Sequence, residues 1–228
     1  MDFGNQTVIV TGGTGALGRV VVGALLAAGA RCRVPYVVEA EAAAFPHRDR
    51  VTLVGNCELT SEADVERLYE GVSDLWASIH IAGGFAMGSV AETDLAGLRH
   101  MLNMNFVTCY LCCRAAVQAF GSGGRVVNIA ARPGLEPRSG AGMAPYAASK
   151  AAVAAFTQSL AAEVAGRDIL VNAVAPSIID TPANRAAMPK ADHTAWPKPE
   201  EIAATILFLA SPDNKVTTGA VIPVPGRT

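Results

Sequence analysis

The 228-residue sequence is poor in charge, and this excludes several classes of partner. Only 17% of the residues are charged, and the formal net charge is -2. Nucleic acids and anionic membranes are bound by clustered lysine and arginine, so neither is expected as a partner. No apolar run approaches the roughly 18 residues of a membrane span. The expected partner is therefore a small molecule.

Cysteine is also scarce, and its spacing gives no disulfide framework. There are five cysteines, of which Cys109, Cys112 and Cys113 lie close together on a predicted helix. No histidine or second cysteine pair completes a ligand set, so no metal is expected, and the thiols are interpreted as buried apolar residues. The start MDFGNQTVIVTGG lacks the basic and apolar regions of a secretory signal, and a cytoplasmic location is expected.

What the sequence does contain is a regular alternation of β-branched runs with helical patterns. The runs are TVIVT, RCRVPYVV, VTLV, ASIHIA, RVVNIA, ILVNAV and AVIPV. Strands buried on both faces of a parallel sheet are continuously apolar, and helical crossovers cover both faces. The pattern predicts an α/β fold over residues 1–228, a single Rossmann-type domain whose doubly wound parallel sheet has about seven strands.

Two helices have recognisable ends. Residues 16 to 28 are predicted to be helical, with Gly29 as a left-handed cap. A later helix is predicted to begin near Pro145, whose missing N–H costs little in a first turn, and to end at Gly166. Tyr146 and Lys150 are then one turn apart on the same helix face.

A glycine-rich loop joins the first strand to the first helix. Glycines permit a tight turn and bring backbone amides close to a pyrophosphate, which the positive end of the helix dipole also favours. The loop predicts a dinucleotide cofactor, NAD or NADP. The loop residues expected to contact it are Gly12, Gly13, Thr14, Gly15, Ala16 and Leu17.

The residues after the second strand leave the choice between the two cofactors open. An acid there binds the ribose 2′-hydroxyl, whereas an arginine accepts a 2′-phosphate. Tyr36 stands where the acid is expected, and Val37 stands where the arginine is expected. Glu39 and Glu41 follow slightly late and are interpreted as solvated acids at a helix start.

Tyr146 and Lys150 form a Tyr-x-x-x-Lys pattern with a chemical rationale. A phenol with a pKa near 10 is a poor proton donor at neutral pH unless a nearby cation stabilises the phenolate. Lys150, one turn away, is expected to supply that cation. Tyr146 is therefore the candidate proton donor.

With these motifs, the chain resembles the short-chain dehydrogenase/reductase family over essentially its whole length. The matching segments are TGGTGALG, CELT, HIAGG, MNFVT, YAASK and VAPSIIDT. The resemblance implies that Asn105 orders a water in the proton relay and that Thr181 contacts the nicotinamide carboxamide. The other cofactor contacts that it implies are Tyr36, Glu58, Leu59, Ala82, Gly83, Gly84, Tyr146, Lys150, Pro176, Ser177 and Ile179.

The chain departs from the family pattern at two positions. Ala16 replaces the middle glycine of the common loop, a change small enough for cofactor binding to survive. Ala131 replaces a serine that hydrogen-bonds the substrate oxygen, and loss of one such donor typically costs about 3 kcal/mol of transition-state stabilisation. Either Ser139 or Arg132 substitutes for it, or the substrate needs little polarisation.

The chain is also similar to dihydropteridine reductases, which lack that serine. They reduce a quinonoid dihydropterin, an imine that is already electrophilic, and Phe85 would correspond to an aromatic beside the pterin. Residues 180–201 are interpreted as a substrate lid, with Met188 and Trp196 as apolar lining.

Two functions are compatible with these motifs. The first is an NAD(P)-dependent reductase acting on a small carbonyl compound or a quinonoid imine, and the resemblance implies that it forms a homodimer or homotetramer. The second is a sensor that binds the dinucleotide without turnover, as the missing serine suggests. The intact Tyr146, Lys150 and Asn105 favour the reductase, since a sensor needs no proton relay.

Overall fold

Seven parallel strands form one sheet in the computed structural model, which describes residues 1–228. The strands are β1 (Thr7–Thr11), β2 (Arg31–Pro35), β3 (Thr52–Val54), β4 (Leu75–His80), β5 (Gly124–Ile129), β6 (Ile169–Pro176) and β7 (Val221–Val224). Their order in the sheet is β3-β2-β1-β4-β5-β6-β7, and every neighbouring pair is parallel. Each of the seven apolar runs overlaps one strand, so the predicted fold is confirmed.

Nine α-helices connect and cover the strands. They are α1 (Ala16–Ala27), α2 (Glu39–Ala43), α3 (Glu62–Tyr69), α4 (Leu95–Leu102), α5 (Thr108–Ala119), α6 (Arg132–Leu135), α7 (Ala144–Glu163), α8 (Pro182–Ala187) and α9 (Pro199–Ala210). A π-helical turn, Asn103–Val107, joins α4 to α5. None of these helices has both the length and the apolar character needed to cross a bilayer.

The sheet separates two apolar cores because alternate strand residues point to opposite faces. In β1, Ile9 packs with α3, α5 and α7, whereas Val8 and Val10 pack with α1 and α9 on the other face. Both faces are therefore buried, as expected for a doubly wound sheet. The strand order changes direction between β1 and β4, and the crevice at such a point is where open α/β sheets bind ligands.

The helix ends agree with the sequence predictions in two of three places. The first helix ends before Gly29, which has the positive φ of +81° expected of a left-handed cap. Pro145 lies in the first turn of α7. Gly166 does not end α7, which stops at Glu163 and continues as a short 3-10 turn. The left-handed residue there is Asp168, with φ +53°, because Asp tolerates this conformation.

The glycine loop gives a stability prediction. A Cβ on Gly18 would lie 2.6 Å from the Cα of Gly13, so α1 would have to shift away from the loop. We expect Gly18→Ala to lower the free energy of unfolding by about 1–3 kcal/mol in urea denaturation, the usual cost of overpacking. Gly121→Ala, which meets nothing within 4 Å, is the control and is expected to be nearly neutral. Equal effects of the two changes would contradict the assignment of close packing at Gly18.

Candidate active site

The glycine loop lies at the point where the strand order reverses. Gly12 has φ +66°, and a Cβ there would lie 2.7 Å from the backbone nitrogen of Ala82, which follows β4. Gly15 precedes α1, and its amide donates to the Gly12 carbonyl at 3.1 Å. Only glycine allows this approach of the two strand ends. The loop therefore directs the N-terminus of α1 toward the crevice, where the helix dipole favours an anion.

A cleft of about 430 Å³ extends from this loop along the ends of β2, β3 and β4. It brings together seven residues predicted to contact the cofactor. They are Gly12, Thr14, Tyr36, Glu58, Leu59, Ala82 and Gly83. Gly13 and Leu17 do not line this cleft: a Cβ on Gly13 would lie 2.7 Å from Val34, and the Leu17 side chain is buried in the core. Their backbone contacts with a cofactor stay predictions.

Glu41 is an exposed acid in the first turn of α2, as predicted, but it also contacts the glycine loop, which was not predicted. Its carboxylate accepts a hydrogen bond of 3.2 Å from the Thr14 hydroxyl, and it lines the cleft beside Tyr36. Tyr36 packs over Gly55, and a hydrogen bond with Glu39 raises the pKa of its phenol. The first turn of α2 thus turns Glu41 back toward the glycine loop, which its distance from β2 in sequence did not indicate.

The far end of the cleft is ordered by local hydrogen bonds. Glu58 accepts bonds from the backbone nitrogen of Thr60 at 3.2 Å and from its hydroxyl at 3.1 Å. The Glu58 amide in turn donates to Asp64 at 3.1 Å. Leu59 is buried and provides an apolar wall. Besides Glu41, nine residues that line the cleft were not predicted as site residues. They are Pro35, Val37, Val38, Cys57, Thr60, His100, Asn103, Met104 and Thr108.

Asn105 lies in the π-helical turn and is buried, with 1% of its surface exposed. Its Oδ1 accepts from the Gly84 amide, and its Nδ2 donates to the Gly84 carbonyl, both at 3.0 Å. Nδ2 also donates to the Ser149 hydroxyl at 3.1 Å. Asn105 therefore joins the loop after β4 to α7. π-Helical turns are frequent at functional sites, but the sequence analysis did not predict this turn.

Lys150 and Tyr146 lie on one face of α7, as predicted, but their side chains make no hydrogen bond with each other. Lys150 Nζ donates to the Ile129 carbonyl at 2.9 Å, and burial lowers the pKa of this amine to about 8. Burial raises the pKa of the Tyr146 phenol to about 12. The expected lowering of the phenol pKa by Lys150 is thus wrong for this structure, because desolvation dominates and the amine points to Ile129.

The surroundings of Tyr146 are apolar. The Phe85 ring meets the Tyr146 ring edge to face at 5.0 Å and remains 57% exposed. Ala131 is buried and offers a methyl group where the family has a hydroxyl. Both proposed substitutes have partners on Glu136: Ser139 donates to the Glu136 carbonyl at 2.8 Å, and Arg132 pairs with the Glu136 carboxylate at 2.9 Å.

The predicted lid contains α8 and a short 3-10 turn, but its last three residues, 199–201, belong to α9. Trp196 is 5% exposed and its ring lies 4.6 Å from that of His193, so it anchors the segment. Its contact with a substrate stays a prediction. The His193 ring contacts the Met188 carbonyl at 2.8 Å, and Met188 stays half-buried.

Between the end of β6 and α8, two hydroxyl side chains form hydrogen bonds within the protein. The Ser177 hydroxyl donates to the Pro225 carbonyl at 2.8 Å, and Thr181 Oγ1 accepts from the Asn184 amide at 3.2 Å as the N-cap of α8. Pro176 is the last residue of β6, and Ile179 packs against the α1–α9 core. These residues border the crevice, and their contacts with a cofactor stay predictions.

The position of His80 contradicts one premise of the prediction that the protein binds no metal. That reasoning held that no histidine completes the Cys109 and Cys113 pair. The structure places the His80 imidazole, at the end of β4, 3.3 Å from the sulfur of Cys113. The two cysteines are buried in the core, as predicted.

Comparison with known proteins finds similarity over nearly the whole chain. The family model described as "Enoyl-(Acyl carrier protein) reductase" matches residues 13–226. Galactitol 2-dehydrogenase of Rhizobium johnstonii is 33% identical, with 96% of this chain and 93% of that protein covered. The cyclic-di-GMP-binding biofilm dispersal mediator protein of Escherichia coli is 29% identical, with 98% and 97% covered.

A similar solved structure is that of a blue fluorescent protein from a metagenomic library in complex with NADPH. It has a TM-score of 0.88 and 27% sequence identity, and the match covers 99% of this chain and 98% of that one. The fold thus has a counterpart in a protein solved with NADPH.

The buried amine gives a pH-dependent prediction. The unfolded chain holds the Lys150 proton up to about pH 10.5, whereas the folded protein releases it near pH 8. Between these values the unfolded state binds more protons, so the contribution of Lys150 to stability rises with pH and is lost as pH falls through 8. We expect the free energy of unfolding of the wild type, minus that of Lys150→Met, to increase across this window. Exposed Lys190→Met is the control, and a flat or falling difference would contradict the burial effect.

Proposed function

The chain belongs to the short-chain dehydrogenase/reductase family, and we propose that it reduces a small carbonyl or quinonoid-imine substrate with Tyr146 as proton donor. Family membership makes it an NAD(P)-dependent oxidoreductase. The observation that carries the finer proposal is that Asn105 and Lys150 lie beside Gly83 at the end of the cleft, and that Tyr146 packs against Phe85, two residues further along the same loop.

The residues of the crevice fit a dinucleotide. The loop after β1 leaves the first turn of α1 open to a pyrophosphate, and Glu58 and Leu59 line the other end of the cleft. Gly83 provides room near the reacting centre, since a Cβ there would lie 3.4 Å from Lys150 Nζ and 2.6 Å from Asn105 Oδ1. A reduced nicotinamide, when bound, supplies the hydride.

The protein supplies the proton and its control. The phenol of Tyr146 is neutral at physiological pH, because burial raises its pKa, and it therefore carries the proton that the reduced substrate must gain. Lys150, one turn away on the same helix, keeps its amine on the Ile129 carbonyl and is proposed to contact the bound cofactor. Asn105 fixes the loop after β4 against α7, which holds the donor in place.

The substrate proposal rests on what surrounds the donor. Ala131 gives no hydrogen bond to a substrate oxygen, and Ser139 and Arg132 are engaged with Glu136. A substrate that is already electrophilic, such as a quinonoid imine, needs only hydride and one proton. The exposed ring of Phe85 offers a face for a planar substrate. A small carbonyl compound is the other class that the same donor serves.

The preference for NADH is a further part of the proposal, and it rests on Glu41. A carboxylate hydrogen-bonded to Thr14 in the cleft repels a 2′-phosphate and accepts from a 2′-hydroxyl. Neither nearby arginine forms an ion pair with the Glu41 carboxylate: Arg19 donates to the Thr14 carbonyl at 3.0 Å, and Arg48 lies 3.7 Å from Asp49.

The alternative is a sensor that binds the dinucleotide without turnover. Ala131, in place of the family serine, favours it, and the similar protein of Escherichia coli is named for ligand binding. We favour the reductase because a sensor has no use for Tyr146 and Lys150 at the cleft. Binding of NADH without turnover of any substrate would select the sensor.

We also propose a cytoplasmic homodimer or homotetramer. The support is an aromatic cluster of Phe106, Tyr110 and Phe156 on α5, α7 and the turn before α5. Tyr110 keeps 44% of its surface exposed at this place. A partially exposed aromatic cluster suits a protein interface.

Removal of one hydroxyl tests the proton donor. Tyr146→Phe keeps the ring against Phe85 but has no proton to give, so kcat should fall by about 100- to 10,000-fold with little change in KM. The measurement is NADH and NADPH oxidation with quinonoid dihydropterin and with a panel of ketones and aldehydes. Tyr110→Phe, at an exposed tyrosine of α5, is the matched control and should retain activity. Full activity of Tyr146→Phe would refute the assigned donor.

A second substitution tests the cofactor preference. The wild type should have the higher kcat/KM with NADH, and Glu41→Gln should improve NADPH relative to NADH about tenfold by removing one charge near the 2′ position. Glu163→Gln, at the exposed end of α7, is the control. A wild type that prefers NADPH would contradict the role of Glu41, and loss of that preference in Arg48→Gln would assign it to Arg48.

A further inference from the structure

A buried group of polar side chains lies beneath the active site, where β4, β5 and α5 meet. It consists of His80, Cys109, Cys113 and Asn128, and each has at most 4% of its surface exposed. Cys109 and Cys113 are one turn apart on the same face of α5. Nothing in the proposed proton transfer uses these four side chains.

The four side chains are close enough to share one ligand. His80 Nδ1 lies 3.3 Å from Cys113 Sγ and 2.8 Å from Asn128 Oδ1. Cys113 Sγ lies 3.4 Å from Asn128 Oδ1. The ligand atoms of His80, Cys109 and Cys113 all lie within 4.8 Å of one another. In a tetrahedral zinc site, Zn–S bonds of about 2.3 Å and Zn–N bonds of about 2.0 Å place sulfur and nitrogen about 3.5 Å apart.

The orientation of His80 is fixed from its other side. Its Nε2 lies 2.8 Å from the Ser78 hydroxyl and 3.4 Å from the Tyr69 hydroxyl, and these two hydroxyls are 2.6 Å apart. With the proton on Nε2, the imidazole donates to Ser78 and turns the Nδ1 lone pair toward the sulfurs. A second hydrogen bond of this kind is the usual support of a metal-bound histidine.

We propose that His80, Cys109 and Cys113 bind a thiophilic divalent cation of the Zn²⁺ type, with Asn128 Oδ1 as the fourth ligand. Two thiolates and a neutral imidazole form a donor set suited to zinc, and two thiolates balance its charge in the dry interior. Binding displaces the two thiol protons, and the imidazole proton moves from Nδ1, which faces Asn128 Oδ1, to Nε2, which then donates to Ser78. The 2.8 Å contact between His80 and Asn128 must then widen by about half an ångström to reach ligand spacing.

The thiol chemistry agrees with this geometry. A hydrogen bond from Cys113 and the nearby His80 lower the pKa of Cys109 against the opposing effect of burial, whereas burial raises the pKa of Cys113. The third cysteine of the helix, Cys112, is buried among apolar residues of the same core and belongs to no such group.

A cation here would act as a cross-link beside the reacting centre. Cys109 follows Asn105 by four residues, so one continuous helical segment carries both side chains. Joining Cys109 to His80 of β4 would hold the turn that positions Asn105. The site is thus structural, and it has no open position for a substrate.

Titration with Co²⁺ tests this proposal directly. The full-length protein is reduced with a phosphine, freed of metal with a chelator and titrated with Co²⁺. We expect one equivalent to bind with the visible bands of a tetrahedral ion and a thiolate-to-metal charge-transfer band, and one equivalent of Zn²⁺ should remove both. Zn²⁺ at about 100 times its dissociation constant should also raise the Tm by roughly 5–10 °C.

Matched variants locate the site. Cys113→Ser removes a thiolate and should lose the charge-transfer band. His80→Asn removes the imidazole and should lose the visible bands of a tetrahedral ion. Cys112→Ser should retain both kinds of band. Circular dichroism of the metal-free variants checks that each is folded. Wild-type protein that gives no thiolate band, or a band that survives in Cys113→Ser, would overturn the proposal. If a variant does not fold, the Co²⁺ spectrum of the wild type alone tests the proposed site. Neither the wild-type spectrum nor the variant spectra depend on enzyme activity.

Discussion

The structure depends on the close approach of two strand ends at the place where the sheet changes direction. Gly12 after β1 and Ala82 after β4 are in contact there because Gly12 has no side chain and adopts a positive φ. This contact sets the width of the crevice between the two halves of the sheet. The N-terminus of α1 and the loop that carries Gly83 and Gly84 then lie on either side of this crevice. Asn105 secures the second of these by its hydrogen bonds to Gly84 and Ser149.

Burial sets the chemistry at the end of this crevice. It favours the neutral form of both ionisable groups, raising the pKa of Tyr146 and lowering that of Lys150. A neutral phenol is the form that a proton donor needs, and an amine with a pKa of about 8 can still be charged at neutral pH. The apolar surroundings from Phe85 and Ala131 add no other donor. Tyr146 is thus the side chain that supplies the proton, and the substrate must already be electrophilic.

Local patterns predicted the features that local forces determine. The seven strands follow from continuous apolar runs, and the spacing of Tyr146 and Lys150 follows from the helical repeat. The glycine loop follows from the need for positive φ and close approach. These features depend on a few neighbouring residues, so a single sequence contains them.

Features that depend on distant packing were not predictable in this way. Glu41 reaches Thr14 only because the short α2 turns back to the loop, and Trp196 is buried because the segment after β6 folds onto the C-terminal residues. His80 meets Cys113 through the pairing of β4 with β5 and the packing of α5 on β4. The lowering of the Tyr146 pKa by Lys150 was wrong for a related reason. Spacing along a helix gives the separation of two side chains but neither their direction nor their burial.

The most direct measurement of the central claim is the rate of a single turnover of enzyme-bound NADH, followed in H₂O and in D₂O with a substrate that the enzyme reduces. If a buried phenol delivers the proton as the hydride is transferred, the oxidation of NADH is slower in D₂O. An equal rate in the two solvents would show that proton delivery from Tyr146 is no part of the step, and would contradict the account.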